Sequence, residues 1–282
     1  MTELSCPKCG ALNASKASYC NLCQASFATK ITPEAVTSGY AAANRMTDME
    51  NLQRRTTADA SASAVSEYMN QVYMWMTVGL CLTAFIAWRT ASSEAALHFI
   101  FGNPLVFYGL LIAQLGVVVA LSAAVNRLSA TTVTAMFLLY SMLTGVTLSS
   151  IFAVYTTGSI SNAFFITAGT FGVMSVYGKV TKRDLTEMGS FLIMGLFGLI
   201  IAMVVNMFLR NPMMDFIISG CGVLIFTGLI AYDTQKLLKI GTSIPLGDAA
   251  ALRRGAIMGA LTLYLDFINL FLHILRLLGK RR

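Results

Sequence analysis

Charge is what this chain has least of. Asp, Glu, Lys and Arg make up 12% of its 282 residues and hydrophobic residues 56%, whereas soluble domains carry about 25% charge. That shortage excludes an ordinary soluble globular protein and points to a polytopic membrane protein. A secretory leader is missing as well: the chain opens Met1-Thr2-Glu3-Leu4-Ser5-Cys6, with no apolar h-region, so its first spans are expected to act as their own insertion signal. Beyond residue 23 only Cys81 and Cys221 remain. Each stands alone in an apolar run and reads as a small buried hydrophobe, not half of a disulfide. The formal net charge is +7, but the basic residues fall mostly in short loops between apolar runs. Membrane topology accounts for them better than nucleic acid does, and no nucleic-acid partner is expected.

What is present is a run of apolar segments, each long enough to cross a bilayer at about 1.5 Å per residue. They fall at 72–88, 104–125, 132–154, 160–178, 189–209, 214–235 and 256–278. This predicts an all-α membrane protein, a seven-transmembrane-helix bundle over 67–282. Ahead of it lie a cysteine module at 1–28 and, at 29–66, an Ala-, Ser- and Thr-rich stretch that reads as a flexible linker or a loosely helical surface segment.

Basic residues between the spans set the orientation. With the N-terminus inside, the cytoplasmic segments carry twelve: Lys30, Arg45, Arg54, Arg55, Arg127, Lys179, Lys182, Arg183, Lys236, Lys239, Arg253 and Arg254. The opposite loops carry Arg89 and Arg210. A cytoplasmic N-terminus follows. The tail disagrees, because a seventh full crossing puts Arg276, Lys280, Arg281 and Arg282 outside; either the last segment crosses with that tail, or it re-enters. Its length favours crossing.

Cys6-Pro7-Lys8-Cys9-Gly10 and Cys20-Asn21-Leu22-Cys23 are two Cys-x-x-Cys knuckles. Each lets two thiolates reach one metal from a tight turn, and Cys6, Cys9, Cys20 and Cys23 together complete the tetrahedral shell that zinc prefers. Gly10 suits the turn, and Tyr19 and Phe27 are placed to cover the site. Four sulfurs with no open position imply a structural ion. A module this small is unfolded without its metal.

Two carboxylates stand inside the last two apolar runs, Asp233 in Leu229-Ile230-Ala231-Tyr232-Asp233-Thr234-Gln235 and Asp266 in Leu263-Tyr264-Leu265-Asp266-Phe267-Ile268-Asn269. A charged side chain at the bilayer centre costs roughly 2.5–3.5 kcal/mol on insertion scales, so it faces a partner or a water-filled cavity. Asp266, Asn269 and His273 form one polar stripe on the seventh helix, which either lines a pathway, with Asn269 and His273 as its polar support, or faces another helix, where the two form interhelical hydrogen bonds. Asp266 lies ~15 Å into its span, near the bilayer middle. Asp233 falls near the end of the sixth span, where Lys236 is a candidate ion-pair partner. By segment position the two aspartates differ in depth by several ångströms, and tilt or a late start to the seventh helix would have to bring them level. If they meet, both cannot ionise cheaply; the pair then titrates as a unit that holds one proton near neutral pH. Arg127, between the second and third spans, is either a plain anchor or a cation that reaches inward to neutralise one aspartate.

The chain resembles the Bax inhibitor-1/YccA family, also called the transmembrane Bax inhibitor motif family, from about Met46 to Arg282. The resemblance is densest in Leu139-Tyr140-Ser141-Met142-Leu143-Thr144-Gly145-Val146-Thr147-Leu148-Ser149-Ser150, in Tyr177-Gly178 through Thr181-Lys182-Arg183-Asp184-Leu185, in Ala231-Tyr232-Asp233-Thr234-Gln235 and in Ala260-Leu261-Thr262-Leu263-Tyr264-Leu265-Asp266-Phe267-Ile268-Asn269-Leu270-Phe271. It implies six helices around a central seventh, a bacterial inner-membrane location and a pH-dependent Ca²⁺ leak. The family's paired aspartates correspond to Asp233 and Asp266, and its gating arginine to Arg127. An acidic position of the family's second span is replaced by Gln114 or Gly116.

Two other classes compete. Paired intramembrane aspartates also serve aspartyl proteases, but Leu263-Tyr264-Leu265-Asp266 lacks the glycines of a Gly-x-Gly-Asp motif, and no enzymatic activity is expected. The resemblance also admits an adaptor whose zinc-ribbon docks a membrane quality-control protease or another protein partner.

Overall fold

The computed structural model describes residues 4–6, 8–13, 17–26, 33–125, 127–245 and 247–281. Expectations placed on Pro7, Phe27, Lys30 and Arg282 lie outside the described residues. The chain forms two compact units, one through Asp59 and one from Ala60 onward.

In the first unit, β1 (Leu4–Ser5) pairs antiparallel with β2 (Leu12–Asn13) around the first knuckle. Both knuckles close alike: Gly10 N–H donates to the Cys6 carbonyl and Gln24 N–H to the Cys20 carbonyl, each at 2.9 Å. Each closing residue has positive φ, 75° at Gly10 and 53° at Gln24. Glycine meets that demand without steric cost and Gln24 meets it against a Cβ penalty. Tyr19 does not cover the cysteines; it is 62% exposed. Backbone from Pro33 to Ala91 is helical (α1).

Among the described residues seven helices are long and apolar enough to cross a membrane. The first span is Asp59–Ala91, the apolar part of α1. A short α2 (Glu94–Phe101) precedes α3 (Pro104–Ala124). The third span is α4 (Ala130–Leu148) continued by α5 (Ser150–Val154), and α6 (Thr157–Val180), α7 (Thr186–Leu209), α8 (Pro212–Ser243) and α9 (Ala249–Leu278) complete the set. The turns hold the polar caps that helix starts require: Asn103 and Asn211 cap α3 and α8, each with Pro at the next position, and Ser129, Thr156 and Asp248 cap α4, α6 and α9. These side chains accept otherwise unpaired backbone N–H groups.

Helix α9 is the centre. In its most apolar window 61% is buried, against 6–33% for the other spans, and it packs on α4, α6 and α8. α1 reaches it as well, through Tyr68, whose hydroxyl donates to the Gly255 carbonyl at 3.3 Å, and through Thr83, whose hydroxyl is 2.7 Å from that of Tyr264. After α9 the chain doubles back onto the α5–α6 turn: Thr156 N–H donates to the Lys280 carbonyl, and Lys280 N–H to the Ser159 hydroxyl. The tail therefore lies at the bundle end shared by the third-to-fourth connection, and the seventh helix crosses without re-entering. Cys81 and Cys221 are exposed on the outer surface of the bundle, not buried in it.

Candidate functional site

Segment Ala231–Gln235 of α8 is placed residue by residue. Gly178 of α6 lies so close to the Ala231 carbonyl that a Cβ there would approach its oxygen to 2.4 Å. Gly189 of α7 leaves room for the Tyr232 ring, which a Cβ would meet at 2.3 Å. Helices with small residues at such crossings approach closely enough to pack in a membrane. Gln235 then holds the α6–α7 loop: its Oε1 accepts from Leu185 N–H at 2.9 Å and its Nε2 donates to the Arg183 carbonyl at 2.8 Å. Lys239, one turn on, donates to Asp184 Oδ1 at 2.9 Å. The Thr186 hydroxyl and Lys239 hold the Asp184 carboxyl down at about 2.

With its neighbours fixed, Asp233 lies on α8, which packs on α9, within electrostatic range of Asp266. A hydrogen bond between two carboxyls needs one proton. Asp266 is 6% exposed, and its Oδ2 has no hydrogen-bond partner among the described residues. Helix α8 runs on to Ser243, roughly three turns past Asp233. Asp233 is thus well inside its helix. Lys236 does not form its ion pair; Lys236 Nζ sits 5.8 Å from the Tyr232 ring centroid.

Asp233 also lines a cavity of about 410 Å³ that contains Lys236, Arg254, Thr262 and Val125. Arg254 had been legible only as a topology anchor. Arg127 is exposed in the α3–α4 turn. Its backbone N–H donates to the Ala124 carbonyl, and its side chain has no hydrogen bond or ion pair among the described residues. Val125, two positions earlier, is its closest link in sequence to the cavity.

The polar stripe of α9 divides. Asn269 donates to the Leu265 carbonyl of its own helix at 2.8 Å and bridges to no other helix. His273 is buried, stacks on Phe226 with ring centroids 5.7 Å apart, and faces Gly222, where a Cβ would meet the imidazole at 2.5 Å. Its Nδ1 has no partner. Ser175 Oγ on α6 and Thr234 Oγ1 on α8 are orphaned in the same way. Buried polar atoms are nearly always paired, and exceptions mark water, ion or functional positions. All four orphans lie on α6, α8 and α9, which pack on one another. Neither Ser175 nor Thr234 was distinguishable from the many hydroxyls that bond their own helix. The missing acidic position of the second span is structural here: Gln114 Nε2 donates to the Thr147 hydroxyl at 3.3 Å, tying α3 to α4.

In the N-terminal unit the four cysteine sulfurs all lie within 4.8 Å of one another. Cys6 and Cys23 sulfurs are 3.6 Å apart, and those of Cys9 and Cys20 are 3.5 Å apart. Tetrahedral ligands about 2.3 Å from a metal stand about 3.8 Å from each other. Hydrogen bonding, first from the Cys23 backbone, lowers the Cys20 thiol to about 6 and favours the thiolate. The cluster fits a zinc-ribbon and can hold one metal ion.

Comparison with known proteins bears on the membrane unit. Residues 65–282 match the family model described as "Inhibitor of apoptosis-promoting Bax1". The chain is 50% identical over 234 residues to the inner membrane protein YbhL of Escherichia coli K12, covering 83% of this chain and 100% of that protein. It is 51% identical over 217 residues to an uncharacterized protein of Borreliella burgdorferi, covering 77% and 93%. A Rickettsia prowazekii protein is 43% identical, covering 76% and 90%. The family match begins after the cysteine module, which is an appended unit. This integral membrane protein belongs to the Bax inhibitor-1/YccA family.

Proposed function

We propose that the protein is a pH-gated cation leak, with Ca²⁺ as the candidate ion and Asp233 and Asp266 as its sensor. The proximity of the two carboxyls, on the packed helices α8 and α9, carries the proposal. Sharing one proton, the pair carries a single negative charge; losing it, the pair carries two and offers its oxygens to a cation. Two carboxylates fall short of the six to eight oxygens of a storage site, so binding is weak and transient, as conduction needs. The orphaned Ser175, Thr234 and His273 atoms support a polar route past the pair. Arg127, in the α3–α4 turn two positions beyond the cavity-lining Val125, and Arg254, which lines the Asp233 cavity, are the candidate locks. No reaction is assigned to the aspartates.

The orientation proposed has the N-terminus in the cytoplasm and the bundle in a bacterial inner membrane, consistent with the basic loops and with the name of the E. coli relative. Zinc is the metal proposed for the ribbon, on its four thiolates. The test is Ca²⁺ flux into proteoliposomes between about pH 6 and 8 for the wild type, Asp233→Asn and Asp266→Asn. Loss of pH dependence in the variants is expected; retention of it in both removes the sensor role.

A second function, partner docking by the ribbon, rests on Leu12, Tyr19 and Leu22, which are 65%, 62% and 76% exposed. Apolar exposure on so small a unit suits a protein partner such as a membrane protease. Removal of residues 1–58, which leaves the first span whole, separates the two: unchanged flux with lost partner binding supports docking, and lost flux makes the ribbon part of the gate.

A further inference from the structure

At the bundle end opposite Asp233, three arginines from distant parts of the sequence line one cavity of about 460 Å³: Arg210, Arg276 and Arg281. Asp215 is the one carboxylate among its described lining residues. It lies 3.8 Å from Arg281, too far for a tight pair. Three guanidiniums against one carboxylate leave the cavity strongly cationic, and arginine's fork matches phosphate oxygens.

The backbone at two of the arginines is held in place. Arg210 caps α7 with φ 51° and ψ 35°, a conformation ordinarily left to Gly or Asn. Asn206 closes the same turn, its carbonyl accepting from Arg210 N–H and its Oδ1 from Asn211 N–H. Arg281 is fixed by its backbone: it bridges to Tyr155, and the preceding Lys280 bonds Thr156 and Ser159. Gly279 permits that return, since a Cβ there would meet the Tyr155 ring at 2.7 Å. These are also the basic residues that topology least explains, because they gather at the end from which basic loops are otherwise excluded.

We infer that this cavity binds a phosphate-bearing anion, the headgroup of an anionic phospholipid in the leaflet at that end. Basic pockets between spanning helices suit such headgroups. The lipid source, as opposed to free phosphate, is favoured by apolar side chains beside the arginines: Phe208, Leu209, Met213, Phe216 and Leu278 are each more than 60% exposed. They offer a surface to the acyl chains while the guanidiniums hold the phosphate.

The test uses the full-length protein in detergent micelles. Native mass spectrometry measures retention of phosphatidylglycerol against phosphatidylcholine, and phosphorus NMR follows inorganic phosphate in the absence of lipid. The wild type is expected to prefer phosphatidylglycerol by on the order of tenfold to a hundredfold, the gain that several basic contacts supply. That preference disappears in Arg210→Gln/Arg276→Gln/Arg281→Gln. Should the triple variant misfold, the single Arg281→Gln, at a solvent-exposed tail position, is expected to weaken the preference, and Asp215→Asn to strengthen it. Equal retention of both lipids by the wild type, or preference unchanged in the variants, overturns the site. Saturation by inorganic phosphate at lower concentration than by lipid overturns the lipid source.

Discussion

Gln235 Nε2 donates to the Arg183 carbonyl at 2.8 Å, across the gap between α8 and the loop that joins α6 to α7. The same amide accepts from Leu185 N–H, so one side chain satisfies both a donor and an acceptor of an irregular backbone stretch. Gln235→Ala leaves both unpaired. The expected loss is about 1–3 kcal/mol, read as a fall in the thermal unfolding midpoint in detergent, with Gln235→Glu intermediate because it restores the acceptor alone.

The approach of α6 to α8 depends on Gly178. Its Cβ space is filled by Ala231 backbone, which cannot rotate aside. Gly178→Val should cost at least the roughly 1–3 kcal/mol of an overpacked core. Gly172, on the same helix, has nothing within 4 Å of its Cβ direction, and Gly172→Ala should leave the midpoint nearly unchanged. Equal effects of the two substitutions would show that the crossing does not depend on backbone contact.

Asp184 gives a pH dependence outside the membrane. Its carboxyl is held at about 2 by the Thr186 hydroxyl and Lys239, below the unfolded value of about 3.9. A group with a lowered folded value adds stability above the unfolded value and loses it as pH falls through the folded one. The stability gap between wild type and Asp184→Asn should therefore be constant above about pH 5 and close between about pH 4 and 2. Because the group is solvent-exposed, the gap is small and salt-sensitive. A gap that stays constant down to low pH would remove the ion pair from the account.

Metal removal should separate the two units. A chelator is expected to unfold the ribbon, seen as loss of dispersed amide signals from residues 4–26, while the helical circular dichroism of the bundle stays within a few per cent of its starting value, as expected for a small domain whose folding energy is its metal-binding energy. Cys20→Ser should abolish stoichiometric zinc by elemental analysis without changing the bundle's unfolding midpoint.

Much of this was legible in the sequence. Hydropathy marked seven spans because a bilayer demands apolar length whatever the packing. The knuckles marked the metal cluster because its geometry is local, closing within four residues of each first cysteine. Two intramembrane aspartates stood out by cost alone. Other features were hidden. The end of α8 was placed eight residues early at 235, since Lys236 and Lys239 looked like an interface; the helix continues to Ser243 because Leu237 is buried and Lys239 finds Asp184. The Arg254 contribution to the Asp233 cavity and the orphaned Ser175 and Thr234 hydroxyls have no one-dimensional signature, because which face of a helix meets a neighbour is settled by the neighbour.

By itself, then, the sequence determined that the chain is a seven-helix membrane protein with a four-thiolate module and two costly carboxylates. Those properties follow from composition and local spacing, which act through the solvent and through turns. Tertiary structure decided that Asp266 is buried, that Asn269 turns back on its own helix, and that Arg210, Arg276 and Arg281 share one cavity. Each depends on helix register and crossing distance. Those are fixed by close contacts such as Gly178 against Ala231 and Gly279 against Tyr155, between residues far apart in the chain.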